Sequence, residues 1–327
     1  MNDITLDAEA ARDTAAEHML TGIPRVHFDT PVDKVIEALR GSHYECADTV
    51  FVTDSAGKLL GLVRINDLFA DGQRHIGDIM EPEHESVRLD ADQEQIAALA
   101  MRLNMIAVPV VDKNERLIGA IPPEALFRIL REEHMEDLQL IAGITAHEEG
   151  PYAALDASIW NRLSHRLPWL VFGLVASSVI TVVMVQFEHA LSANVAVAFF
   201  VPALVYIAGA IGSQAVSVSV RSLAADTVEI LPLLRDELII GVGIGAVLGS
   251  LAGIAVLAVF GDQLLAIAVG LAVLSGGTMS AVVGFGLPWV FHKLGSDPAM
   301  GSGPICTIIQ DVASLFIYFG LVSLLVF

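Results

Sequence analysis

A single acidic residue stands where ionisation is hardest to accommodate. From Pro304 to Phe327 the chain carries one charge, Asp311, within "PICTIIQDVASLFIYFG". A carboxylate in an apolar helix is costly unless it meets a cation, a partner or water, so a lone acid there marks an ion path or a buried pair. Steps of three and four residues from Asp311 reach Gly303, Thr307, Ser314 and Tyr318, while Ile305, Ile309, Val312, Phe316 and Phe319 fall on the other face. Such a polar stripe is expected to face water or another polar surface; the competing reading is a buried acid paired with Arg221 or Lys293. Ser296 or Asp297 can cap the helix and Pro298 suits its first turn. That start would put Asp311 roughly 20 Å along the helix at 1.5 Å per residue.

The type of ion follows from the ligands at hand. Apart from Cys306, Asp311 has no Cys, His or Met beside it, which disfavours soft metals. Mg²⁺ keeps most of its waters and needs one or two carboxylates and small polar walls. Two chains on a two-fold axis would bring two carboxylates to one divalent ion. Glu132, Glu133, Glu136 and Asp137 form a second acidic cluster whose mutual repulsion a hard divalent cation would relieve; the alternative is a solvated acidic face.

These residues need elements to hold them, and the chain has two unlike halves. The 327 residues have a mean hydropathy of +0.63 and a net charge of −20. Fifteen Lys and Arg against 30 Asp and Glu lie up to Leu167, and 3 against 8 from Pro168 onward. That split reads as an acidic soluble part followed by a membrane part. Segments 167–187, 190–220, 238–260, 263–291 and 304–327 each reach the ~20 apolar residues that cross a bilayer. The second and fourth are longer than a straight span needs, and are expected to tilt or kink at Pro202, Gly209 and Gly212 or at Gly276, Gly277 and Pro288. Basic residues Arg162, Arg166, Arg221, Arg235 and Lys293 fall at one set of ends, and Glu188, His189 and Asp262 at the other. The soluble half is therefore expected in the cytoplasm and the C-terminus outside. The start, "MNDITLDAEAARDTAAEHML", has no apolar run after a basic region and does not read as a secretory signal. Cys46 and Cys306 lie in different halves, which makes a disulfide between them implausible.

The soluble half repeats. "VFVTDSAGKLLGLVRINDLF" (50–69) matches "VPVVDKNERLIGAIPPEALF" (108–127): a β-branched run, a polar turn, an apolar run with Gly61 or Gly119, then a helix start. A period near 60 residues indicates two copies of one small α/β module. The expected division is a tail at 1–17, modules at 18–77 and 78–137, a connecting helix at 138–166 and a five-helix membrane domain at 167–327.

The module pair resembles a tandem CBS pair, which implies a regulatory platform able to bind ATP or another adenine nucleotide. In that family an Asp opening the last helix often holds a ribose; Asp67 fits the place, and its counterpart in the second copy is Ala125. "FFVPALVYIAGAIGSQAVSVSVRSLA" (199–224) and "LGSDPAMGSGPICTIIQDVASLFIYFG" (294–320) resemble the second-helix and last-helix signatures of MgtE-type magnesium channels and transporters. The resemblance implies a homodimeric Mg²⁺ pore in a cell membrane, closed when Mg²⁺ fills acidic cytosolic sites. It casts Asp311 as the pore acid, Asp297 as an acid at the cytoplasmic mouth and Thr307 as a threonine near the pore acid, and Gly209, Gly212, Gln214 and Arg221 match its second-helix pattern; with Ser314 of the polar stripe, Gly209, Gly212, Gln214 and Thr307 are expected to line the pore. Departures from the family are Ala210 in place of an amide, Ile308 in place of a second threonine, and no helical domain before the CBS pair. Transport of Mn²⁺, Co²⁺ or Zn²⁺ and a non-conducting membrane sensor stand as alternatives. "HEEG" (147–150) is not a His-Glu-x-x-His site and no phosphate-binding Gly-rich loop occurs, so an enzyme is not expected.

Overall fold

A computed structural model describes residues 13–70, 74–82, 85–145, 157–223, 229–300 and 302–327. The chain divides into two units, residues 1–133 and 134–327.

The first unit holds the two modules. In the first, β1 (Arg25–His27) runs parallel to β2 (Thr49–Thr53), which pairs antiparallel with β3 (Leu59–Arg64), and α1 (Ala15–His18) and α2 (Val32–Gly41) lie within the same stretch of chain. After α3 (Ile76–Ile79), the short β4 (Glu81–Pro82) adds to the far edge of β3, giving the order β1-β2-β3-β4. The second module repeats this: β5 (Val87–Arg88) lies parallel to β6 (Val108–Val111), and β6 antiparallel to β7 (Leu117–Ile121). Its helix α4 (Gln93–Arg102) is started by Asp92, whose carboxylate accepts from the Glu94 amide at 2.9 Å. The pleat slips at Val52/Thr53 and at Val110/Val111, just before each polar turn. In both turns one carboxylate oxygen closes the loop: Asp54 accepts from Ala56 and Lys58, and Asp112 from Asn114 and Arg116. The turns also bind each other, through the Leu117 amide to the Gly57 carbonyl at 3.0 Å and a Lys58–Glu115 ion pair.

The modules exchange their edges across the boundaries expected from the sequence. The end of the expected tail, from Asp13, and the first residues of the expected first module pair with the second: the Ala15 amide donates to the Ala91 carbonyl, Leu20 bridges Ala120, and Ala15 is buried with Val87, Ile96 and Val108. Conversely β4, assigned to the second module, completes the first sheet. Gly61 and Gly119 are equivalent positions where these passing segments come close. A Cβ on Gly61 would lie 2.6 Å from the Glu81 carbonyl oxygen, and one on Gly119 2.6 Å from that of Leu20. A third apolar cluster, including Cys46, Phe51, Leu62, Ala107, Leu117 and Ala120, joins the modules.

The repeat ends differently in its two copies. Asp67 opens a three-residue 3₁₀ turn, Asp67–Phe69, instead of a long helix. In the second copy Pro123, suited to a first helical turn, opens α5 (Pro123–Ile141).

The second unit is helical. Five helices are long and apolar enough to cross a membrane: α6 (Ile159–Gln186), residues 196–223, α10 (Ile230–Phe260), α11 (Gln263–Lys293) and α12 (Ser302–Leu325). A short α7 (Glu188–Ala193) precedes the second of these, which is interrupted at Phe200 into α8 (Ala196–Phe199) and α9 (Val201–Leu223). The break adjoins Pro202, as the length of the segment led us to expect; α11, by contrast, runs unbroken through Gly276, Gly277 and Pro288. Gly261, at φ +68°, ends α10, and Asp262 starts α11 by accepting from the Leu265 amide. Gly241, Gly245, Gly249 and Gly253, spaced by four, form one seam of α10 against the α11 backbone; a Cβ on Gly249 would sit 2.4 Å from the Gly270 carbonyl oxygen. The helices thus close on backbone contact, with α11 innermost.

Gly61→Ala and Gly119→Ala are each expected to destabilise the first unit by about 1–3 kcal/mol through overpacking. Gly41→Ala, which meets nothing within 4 Å, should be neutral or slightly stabilising; chemical unfolding of the three variants checks this.

Candidate ion site

The helix carrying Asp311 starts later than its sequence suggests. Asp297 turns the chain by accepting from the Ala299 amide at 2.7 Å, and the Ser302 hydroxyl donates to the Pro298 carbonyl. These bonds make a turn of 297–300 and leave Ser302 as the first helical residue. Asp311 then lies nine residues on, about 14 Å along α12 instead of 20.

The polar stripe is displaced by one position in its first half, while Ser314 and Tyr318 are common to both. Ser302, Cys306, Gln310, Ser314 and Tyr318, at a strict spacing of four, are all buried against the other helices. The Tyr318 hydroxyl donates to the Val197 carbonyl at 2.8 Å, and the Ser314 hydroxyl to the Asp311 carbonyl at 3.1 Å. Phe319, expected on the outer face, is buried, whereas Ile309 and Phe316 are exposed. Thr307 and Asp311 stand one place around from the buried stripe. Thr307 is exposed and returns its hydroxyl to the Gly303 carbonyl at 2.9 Å. Asp311 is half-buried; its Oδ1 is shielded from solvent and has no hydrogen-bond partner. Among the described residues it forms no ion pair with Arg221 or Lys293.

α9 shows a related division. Ala210, Ser213, Gln214, Ser217 and Arg221 share one exposed face, and Gly209 beside them is half-buried with open space where a Cβ would be. Gly212 is instead buried between helices, under the Gln310 amide and against Gly284. Of the residues the resemblance places on a path, Gly212 and Ser314 therefore pack inside the chain, while Gln214 and Thr307 stand outside it.

The acidic cluster lies on α5. Glu132, Glu133, Glu136 and Asp137 are all half-buried there. Among the described residues no three His, Cys, Asp or Glu side chains converge as a metal site. Beyond them the tip of α5 is firmly seated: Leu140 is buried among Val216, Val220, Ala299 and Cys306. The Ile141 carbonyl oxygen comes within 2.0 Å of where a Cβ on Gly303 would be, and Gly143, at φ +73°, lies against the Pro304 ring. The connecting helix expected over 138–166 is not one helix. Its start ends α5, its end forms the first turns of α6, and Thr145 joins them by donating its amide to the His165 carbonyl at 3.0 Å; residues 146–156, with "HEEG", lie outside the described residues. Asp67 is exposed, and the 3₁₀ turn it opens has no side-chain cap.

Gln310 is not among the residues expected at the site, because the charge beside it dominates the local pattern. The signal was available in the run of residues 302, 306, 310, 314 and 318, each able to hydrogen bond and each one helical turn apart.

Comparison with known proteins agrees with both halves. A family model described as MgtE, divalent cation transporter, matches residues 201–321, and a CBS domain model matches 15–71 and 76–132. The magnesium transporter MgtE of Thermus thermophilus is 30% identical over 301 residues, 90% of this chain and 66% of the relative. That of Bacillus subtilis is 31% identical over 290 residues, 85% of this chain and 62% of the relative. The chain thus spans about two thirds of the length of these relatives. Among solved structures, the cytosolic domain of the Mg²⁺ channel MgtE in complex with ATP is 30% identical, with a TM-score of 0.35, covering 36% of this chain and 48% of that one. The soluble part of a magnesium transporter is 26% identical, with a TM-score of 0.36, covering 37% and 49%.

Burial pushes the Asp297 carboxyl above the ordinary carboxylate range, with the Ala299 amide opposing. Its ionised form is therefore disfavoured in the folded chain, and stability falls as pH rises from 3.8 through the raised value. Asp297→Asn should unfold at a higher temperature than the natural protein at pH 7 in chelator, with the difference vanishing below about pH 4.

Proposed function

This chain belongs to the MgtE family of divalent cation transporters, and we propose that it conducts hydrated Mg²⁺ through a pore between two copies of itself. The observation that carries this reading is the shielded Asp311 Oδ1 without a partner. A carboxylate oxygen taken from water and left unpaired costs several kcal/mol, and a cation with its waters removes the cost. Two copies would set two such acids against one divalent charge. The exposed polar face of α9, from Ser213 and Gln214 to Arg221, supports the same assembly, because lipid satisfies none of those groups. Ala210 on that face presents no amide to a hydrated ion, so discrimination among Mg²⁺, Mn²⁺ and Co²⁺ rests on Asp311 and path width.

Entry is downhill. An inside-negative potential contributes about 2.3 kcal/mol per charge per 100 mV, and about twice that for a divalent ion. Arg221 and Lys293 end α9 and α11 at the side where the α5 tip packs, whereas Glu188 and Asp262 lie at the opposite helix ends. This polarity supports a cytoplasmic CBS pair and an external C-terminus.

Closure is assigned to α5. Mg²⁺ bound near Glu132, Glu133, Glu136 and Asp137 would relieve their repulsion and hold α5 in its seat on α12. The CBS pair offers Asp67 as the one candidate ribose contact for an adenine nucleotide.

Mg²⁺ influx into proteoliposomes under an inside-negative potential tests the path. Asp311→Asn should lower influx at least about tenfold, the equivalent of 1.4 kcal/mol; absence of influx in the natural protein, with the oligomer intact, would favour a sensor instead. Gly303→Ala should force the Ile141 carbonyl from its seat and weaken the inhibition of influx by Mg²⁺ inside the vesicle about tenfold or more.

A further inference from the structure

The Gln310 side chain occupies a space that another helix leaves for it. A Cβ on Gly212 of α9 would lie 1.6 Å from Gln310 Nε2 and 2.2 Å from Oε1, so the amide fills the volume of an absent side chain. From the third side, α11 supplies the Ser280 carbonyl, which accepts from Gln310 Nε2 at 3.2 Å. Cys306, one turn earlier on α12, places Sγ 2.7 Å from the same nitrogen. The socket itself is tight, because a Cβ on Gly284 would stand 2.5 Å from the Gly212 carbonyl oxygen. Three helices thus meet at one amide that is 1% exposed.

Asp311 is the next residue. Successive helical residues are about 100° apart, so pinning Gln310 inward sets where the carboxylate points. A turn of α12 by one position would carry Asp311 toward the same socket. Ser280, whose carbonyl accepts from Gln310, also carries a hydroxyl that is 0% exposed and has no hydrogen-bond partner among the described residues.

We propose that Gln310, seated in the Gly212 socket, is the positioning residue that holds Asp311 out of the protomer core and on the ion path. Gly212 serves the path through this seat, not as part of its wall. The inference rests on the transport reading above.

The test is Mg²⁺ influx into proteoliposomes as a function of external Mg²⁺, for the natural protein, Gln310→Met, Gln310→Ala and Gly212→Ala. Each rate is referred to the amount of protein running as the natural oligomer on gel filtration. Gln310→Met keeps the length and loses the donor. It is expected to raise the half-saturating Mg²⁺ concentration at least about tenfold and to narrow the preference for Mg²⁺ over Ca²⁺. Gly212→Ala, which expels the amide from its socket, should do the same with Gln310 intact. A packing role alone would reduce the amount of assembled protein and leave half-saturation per oligomer unchanged. If Gln310→Met does not assemble, Gln310→Ala, which empties the socket without straining it, is read in its place. A natural protein that conducts, with half-saturation unmoved in the assembled Gln310 variants, overturns the positioning role alone. A natural protein that passes no divalent cation overturns the transport reading, and this inference falls with it.

Discussion

The cost of holding a carboxylate among apolar helices organises the membrane half. Asp311 has one oxygen shielded and unpartnered, and the bases at Arg221 and Lys293 do not reach it. An acid so placed is either neutral or stabilised by something beyond the chain's own packing. The surrounding structure is consistent with that demand. The hydrogen-bonding residues of α12 that can be satisfied internally, such as Gln310 and Tyr318, turn inward, and Asp311 is left at the border.

That division requires helices close enough for backbone to act as wall and acceptor. α10 meets α11 through Gly241, Gly245 and Gly249, and α9 meets α11 and α12 through Gly212. Ser219 donates to the Phe285 carbonyl at 2.6 Å across the α9–α11 contact. Without side chains between the backbones, carbonyl groups become available to neighbouring polar residues, which apolar packing alone could not provide. Small residues here secure both packing and polar satisfaction.

The sequence displayed the large divisions because they rest on simple periodicities. Charge and hydropathy separate the halves, and the duplicated runs around Asp54 and Asp112 reveal the repeat, since each turn closes on its own aspartate. Five apolar segments are the five long helices. What remained hidden depended on contacts distant in sequence. The exchange of Leu20 and Glu81 between modules follows from which edge of each sheet is open, and local pattern does not carry that. α12 starts four residues later than its sequence suggests because Asp297 caps a turn as readily as a helix. The stripe was rotated because an interior amide and an exposed threonine look equally polar in a list of residues, and only the Gly212 socket tells them apart.

The tip of α5 packs against the first turns of α12, upstream of Asp311. Leu140 is buried beside Cys306, one helical turn before Gln310, and the Ile141 carbonyl rests on Gly303 at the first turn of α12. Both contacts lie on the stretch of helix between Ser302 and Gln310, the segment that the proposal above makes responsible for the direction of Asp311. A close-packed contact of this kind does not yield gradually: it is either seated or displaced. In the closure proposed above, a displacement at Gly303 would be passed along the helix to the acid about 12 Å away, at 1.5 Å per residue.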